Sequence, residues 1–433
     1  MQASTNTNNT TLASIAQADK CIVSVDHPAG DSTPESDTAH GWLVIAGSFV
    51  YTMASVGTAA SFGVYMDEYL TKEFPGTPSS TLAWIGTMQI GLTFFCGIIF
   101  GPMMERIDIR IVGIIGTLFS GAGLLIASGC TSPASLIATQ GIITGIGFSA
   151  MFTVAMTLPS QWMVKYKPIA VGIAISGSAV GGIWQSFAMR AIIKSHGYRW
   201  ALRISGLIQI AMCSSATLPM KRRIEAPPRK RFIEHTLLRD PKFILLLLFG
   251  ITGGAGFFIP FAFMPNYAVV VLHKDISWDA NISALMNVGG FFGRLLSGIL
   301  AAYIGPISTL AICSLVSSLG IFVLWLPFKN TAVLIIEAFV FGMSSGSLVT
   351  VFPVAAASLY GLQRLPSILG LLFVSFFAGQ LISSPVAGRL LDKYGHGADF
   401  SSLIIYTGAL FAVAVVFLVM IRLLITRDIF AKV

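Results

Sequence analysis

Arg294 is the residue whose chemistry is hardest to dismiss. It sits in Asn287-Val288-Gly289-Gly290-Phe291-Phe292-Gly293-Arg294-Leu295-Leu296-Ser297-Gly298, an apolar run that extends from Ile282 to Ala302 without another charge. A guanidinium keeps its charge and can grip a carboxylate with two parallel hydrogen bonds. At hydrocarbon depth it costs roughly 2.5–3.5 kcal/mol on insertion scales, so it normally faces a protein interior or an aqueous cavity and is functional there. The alternative is a structural arginine paired with a backbone carbonyl or with Glu337. Asn287 lies seven residues, two helical turns, before Arg294 and shares its face. Tyr51, Gln185, Asn266, Tyr267 and Gln380 are further polar groups inside apolar runs and candidates for substrate binding, although any one of them is more often an interhelical hydrogen bond. Glu337 is the buried-looking acid. It could carry a proton or pair with a basic group near the outer surface.

Other chemistry finds no support in the chain. The five cysteines have no metal-ligand spacing, and His40, His196, His235, His273 and His396 fall in tails or loops. No nucleophile–base pair is recognisable, and the glycines at 145–147 and 177–182 lie within apolar runs rather than at a strand–turn–helix junction, so they are no nucleotide loop. No enzyme activity, cofactor or metal is expected.

The elements that must position Arg294 follow from composition. The chain has 433 residues, 55% hydrophobic and 11% charged, against about 25% charged in soluble proteins, and its mean hydropathy is +0.79. Twelve apolar runs near the ~20 residues needed to span a bilayer lie at 42–66, 81–101, 109–129, 134–158, 168–193, 200–219, 242–271, 278–303, 307–327, 331–358, 365–390 and 401–424. They are continuous, without the alternation of a membrane barrel. An all-α membrane protein of twelve transmembrane helices is predicted.

Residues 1–40 are polar and mildly acidic and read as a disordered cytoplasmic tail without a cleavable signal peptide. A six-helix bundle over 41–219, a basic cytoplasmic linker over 220–241, a second bundle over 242–425 and a short cytoplasmic tail over 426–433 complete the expected organisation. With both termini inside, thirteen basic residues fall in inner loops and six in outer loops, which favours that orientation. The net charge of +8 therefore reads as a topology signal, and no nucleic-acid partner is expected. The expected partners are the lipid bilayer and a small-molecule substrate, a carboxylate or other organic anion, in the plasma membrane rather than an internal one.

The two halves resemble each other. A shift of 197 places Phe94-Phe95 on Phe291-Phe292 and Gly101 on Gly298; a shift of 198 places Pro168 on Pro366, Gly172 on Gly370 and Gly181 on Gly379. Such a duplication points to a secondary transporter with its site between the halves. Under the shift Arg294 corresponds to Gly97, so the duplicated scaffold does not itself require the arginine.

After the second run comes Gly101-Pro102-Met103-Met104-Glu105-Arg106-Ile107-Asp108-Ile109-Arg110. This resembles the Gly-x-x-x-Asp-Arg-x-Gly-Arg signature of the major facilitator superfamily, with Glu105 for the aspartate and Asp108 where a glycine is usual. The resemblance implies the major facilitator fold of two six-helix pseudo-repeats. It also implies a conformational latch of Gly101, Glu105, Arg106, Asp108 and Arg110, in which Glu105 meets the start of the eleventh span near Leu365–Ile368. The second-half counterpart, Gly298 to Gly305, has neither the acid nor the arginine.

Gly41-Trp42, the stretch from Gly145 to Gly182, and Tyr198-Arg199-Trp200-Ala201-Leu202-Arg203 resemble the monocarboxylate-porter branch, particularly its fungal members. In that branch an arginine at the position of Arg294 holds the substrate anion. Lactate-type porters have an aspartate one turn earlier, where this chain has Gly290, and a lysine in the first span, at the position of Ala60. Both departures suit a bulkier, more apolar anion. The resulting expectation is a secondary active transporter working by alternating access, with Arg294 as anion anchor. Nutrient import and export of a secondary metabolite stay open, as does a non-transporting nutrient sensor of the same fold.

Overall fold

The computed structural model describes residues 38–224, 237–275, 277–395 and 399–426. Most of the N-terminal tail, residues 225–236 of the basic linker and the last seven residues lie outside the described residues, so the expectations made for them stand as they were. Among the described residues twelve long helical segments follow one another and there is no strand. They are α1 Ala39–Glu73, α2 Thr81–Arg106, α3 Ile109–Ala127, α4 Pro133–Trp162 and α5 Lys167–His196, α6 Tyr198–Thr217, α7 Pro241–Val270, α8 Ser277–Ile304, α9 Pro306–Trp325 and α10 Thr331–Tyr360, α11 Leu365–Gly395 and α12 Ser401–Ile425.

Eleven of these are long and apolar enough to cross a membrane. The exception is α6, whose Arg203 and Gln209 lower its apolarity. Both are matched by hydroxyls of α3 or its end: Arg203 Nε donates to Ser128 Oγ at 3.1 Å and Gln209 Nε2 to Ser120 Oγ at 2.6 Å. Several helix starts carry side-chain caps. Asp108 accepts from the Arg110 amide at 2.8 Å, Asp240 from Lys242 at 3.0 Å and Asn330 from Ala332 at 2.9 Å, each satisfying an amide that the helix cannot. Inside α1, Ser55 Oγ bonds back to the Tyr51 carbonyl at 2.6 Å, where the helix is interrupted, as hydroxyl back-bonding tends to do.

Glycines decide how the helices pack, because a missing side chain lets two backbones approach. A Cβ at Gly181 of α5 would collide with the Met53 carbonyl of α1, and one at Gly379 of α11 with the Ile251 carbonyl of α7. These two contacts are related by the 198-residue shift. A Cβ at Gly145 of α4 would lie 3.0 Å from the Gln89 carbonyl of α2; its counterpart, Gly342 of α10, meets the Met286 carbonyl of α8. The duplication is thus written in contacts as well as in residues, and α1–α6 and α7–α12 form two matched halves.

The halves join along two seams near the end of the molecule where α1 begins and α12 ends. In the α2·α11 seam, a Cβ on Gly97 would lie 3.4 Å from Gly370 Cα, and Gly101 abuts the Pro366 carbonyl. In the α5·α8 seam, a Cβ on Gly172 would lie 2.6 Å from the Arg294 carbonyl and one on Gly298 2.7 Å from the Pro168 carbonyl. Shifted by 197 or 198 residues, each partner in one seam becomes a partner in the other.

Candidate functional site

Between the halves lies a cavity of about 50 Å³. Thr52 and Val56 of α1, Ile90 and Phe94 of α2, Phe152 of α4 and Ile175 and Ser178 of α5 form one wall; Phe257 and Phe258 of α7, Arg294 of α8 and Val349 of α10 form the other. The wall is apolar and aromatic. Phe94 stacks on Phe373 of α11 across the α2·α11 seam at 5.7 Å and packs edge-on against Phe152 at 5.4 Å, while Phe376 of α11 packs against Phe94, Phe257 and Phe258.

Among the described residues Arg294 is the only charged one in this lining. It is 9% exposed, and its Nε and Nη1 are buried without a hydrogen-bond partner. Among the described residues no carboxylate pairs with it. The hydroxyls on the wall are already committed: Thr52 Oγ1 donates to the Ala174 carbonyl at 2.5 Å and Ser178 Oγ to the Ile175 carbonyl at 2.7 Å. A buried guanidinium with free donors in an apolar chamber is an arrangement that can bind an anion, since an anion supplies both the missing acceptors and the missing charge. The position of Gly290 borders this group, for a Cβ there would lie 3.6 Å from Arg294 Nη1. Ala60 is exposed on α1, across from Gly182 of α5.

Of the seven residues singled out as substrate contacts, Arg294 alone lies on the cavity wall. Tyr51 turns into its own half, where its hydroxyl meets Thr217 Oγ1 at 2.5 Å. Gln185 is held there too, donating to Thr58 Oγ1 at 2.6 Å and accepting from Ser205 at 3.3 Å. Tyr267 packs between Trp325 and Phe400. Asn266 is exposed on α7, Asn287 donates to the Ser283 carbonyl at 2.9 Å on its own helix, and Gln380 keeps a buried Oε1 without a partner. Glu337 is buried with neither oxygen bonded. It faces Gly320 of α9, whereas α10 meets α8 through Phe339 and Met343, so the acid and Arg294 occupy different interfaces.

The residues at the end of α2 and the start of α3 divide their work. Gly101 lies against Pro366 and Ser367, and Ser367 Oγ donates to Glu105 Oε1 at 2.6 Å across the α2·α11 seam. Asp108 and Arg110 stay within the first half: Asp108 caps α3, and Arg110 Nε donates to the Met220 carbonyl at 2.8 Å. Arg222 reaches the carbonyls of Glu105 and Ile107 at 3.4 and 3.5 Å. Arg106 lies at the end of α2.

Sequence reasoning missed the phenylalanines of the wall. The adjacent pairs Phe94-Phe95 and Phe257-Phe258 were visible, but in a chain this apolar nothing in the pattern separates an inward ring from one facing lipid.

A sequence profile of the Major Facilitator Superfamily matches residues 44–370. The aspyridones efflux protein of Emericella nidulans is 28% identical over 381 residues, 86% of this chain and 77% of that protein. The fujikurins efflux protein of Gibberella fujikuroi is 27% identical over 403 residues, 92% and 86% of the two chains. Among solved structures, the fucose:proton symporter of E. coli has a TM-score of 0.69 at 15% identity, covering 89% of this chain and 99% of that one, which speaks for the fold alone. A profile match over most of the chain decides membership: the protein belongs to the Major Facilitator Superfamily, whose members are multi-pass membrane transporters and not enzymes.

Proposed function

We propose that the protein exports an amphipathic organic anion, a secondary metabolite with one acidic group on a largely apolar body, by alternating access between its two halves. The observation that carries this reading is the buried guanidinium of Arg294, whose Nε and Nη1 have no partner among the described residues, in a phenylalanine-walled cavity between them. Arg294 holds the anionic head and the aromatic wall holds the body. Relatives named for efflux of aspyridones and fujikurins support export over import. The excess of basic residues in the loops on the terminus-bearing side supports cytoplasmic termini, and we place the protein in the plasma membrane. In this reading the seams close the cytoplasmic side, Glu105 and Ser367 latch one of them, and the missing counterparts of lactate-type charges widen the range of bodies accepted.

The test uses yeast cells producing the full-length protein and loaded with fluorescein, an aromatic carboxylate. Wild type should lower retained fluorescein, and Arg294→Gln should abolish the effect while reaching the membrane in equal amount. Normal efflux by that variant removes Arg294 from the mechanism. A sensor that kept the fold would bind fluorescein in detergent yet leave retention unchanged. Glu337 takes no part in substrate contact here. If it carries a coupling proton, Glu337→Gln makes efflux indifferent to an imposed pH gradient, and a surviving pH dependence would assign coupling elsewhere.

A further inference from the structure

The site has a property that a substrate anchor alone does not explain: among the described residues its positive charge has no internal counter-ion. Arg294 is 9% exposed, with Nε and Nη1 buried and unbonded. Among the described residues no acid lines the cavity, and Glu337 looks into the α9 interface instead. In an exporter the substrate leaves on the far side, and the cavity must then close around this group on the return stroke. Closing it around a bare guanidinium strips the water that solvates the charge and puts nothing in its place, which is the costly way to bury an ion.

We propose that a small monovalent inorganic anion of halide size occupies the Arg294 site on the return stroke, so that the transporter exchanges organic anion for inorganic anion. This rests on the reading of Arg294 as an anion anchor and extends it to a second ligand. The cavity favours a halide over an oxyanion. Its volume of about 50 Å³ has room for roughly three water-sized spheres. Its two hydroxyls already donate to backbone carbonyls, so an oxyanion with several acceptors would find only the guanidinium. The wall also shows where an internal counter-ion would go. A Cβ on Gly290 would sit 3.6 Å from Arg294 Nη1 and 3.6 Å from the Gly342 carbonyl, both ordinary contacts. Position 290 thus has room for a Cβ; Gly290→Asp puts a carboxylate beside the guanidinium, and should make the inorganic anion unnecessary.

The experiment uses the purified full-length protein with chloride as the probe and gluconate as its replacement at constant ionic strength. Chloride should raise the melting temperature of wild type by several degrees, and should raise that of neither Arg294→Gln nor Gly290→Asp. In proteoliposomes, radioactive chloride uptake by wild type should be at least about tenfold faster with chloride inside than with gluconate inside, and Gly290→Asp should lose that stimulation. Equal melting in chloride and gluconate for wild type, an undiminished chloride shift in either variant, or uptake indifferent to internal chloride overturns the proposal. If Arg294→Gln does not fold, Gly290→Asp, which keeps the arginine, carries the decision. The anchor reading is judged separately by fluorescein: efflux lost in Arg294→Gln but insensitive to external chloride in wild type leaves the anchor standing and removes the exchange.

Discussion

The two seams between the halves are built from the same duplicated parts and have diverged in opposite directions. In the α2·α11 seam the middle position is Gly97, and the polar contact is at the end, where Ser367 donates to Glu105. In the α5·α8 seam the middle position is Arg294, and the end is apolar: Ile169 stands for Ser367 and Ala302 for Glu105 under the same shift. One seam keeps its polar chemistry at the membrane edge and is plain at cavity depth, and the other reverses this. On the proposed function, the latch stands in one copy of the element and the anion anchor in the other.

Overfilling the seams should give the largest effects. Gly172→Val and Gly370→Val each push a branched side chain onto a backbone carbonyl that cannot step aside. Overpacking of this kind costs ~1–3 kcal/mol or more, enough to shift the closed arrangement about tenfold to a hundredfold. Fluorescein efflux should fall in both, but only Gly172→Val should also change apparent affinity, because it displaces Arg294. Equal affinity changes in the two variants would break the division just drawn. Next in size is Ser367→Ala, which removes a hydroxyl-to-carboxylate bond worth roughly 1.5–3 kcal/mol. Spin-label distances between the ends of α2 and α11 should lengthen in part of the population, and those between α5 and α8 should not. The smallest effect is expected from rebuilding the lost end: Ala302→Glu with Ile169→Ser adds the same kind of bond but gives up the partly buried Ile169 side chain, for a net gain of about 1 kcal/mol. Turnover should slow a few-fold through over-stabilised closure, and unchanged turnover would mean that the α5·α8 end tolerates a latch without using it.

The sequence made the helices, their pairing into halves and the polar end of α2 readable, because each rests on local patterns. Apolar length marks a span, Asp or Asn before a span marks a cap, and a glycine repeated at one offset marks a close approach. The direction in which a polar side chain points was not readable. Tyr51 and Gln185 looked like cavity residues because they are polar within apolar helices, but each found a hydroxyl partner in its own half. A buried hydrogen bond and a ligand contact leave the same mark on a sequence. The polarity of α6 misleads in the same way, since it reflects pairing with Ser120 and Ser128. Arg294 stood out because its charge is too costly to bury idly, and a phenylalanine gives no such signal.

Arg294 meets its surroundings at two points, its carbonyl against Gly172 and its side chain on the cavity wall. A turn or slide of α8 at that contact carries the guanidinium with it, so on the proposed function the helix is a lever whose fulcrum is also the residue that grips cargo. Affinity and gate position then become one variable observed from two ends, and reciprocity requires that each respond to the other by the same factor. A compound wedged into the α5·α8 seam would never touch the cargo site, yet it would be measured as a change in how tightly cargo is held.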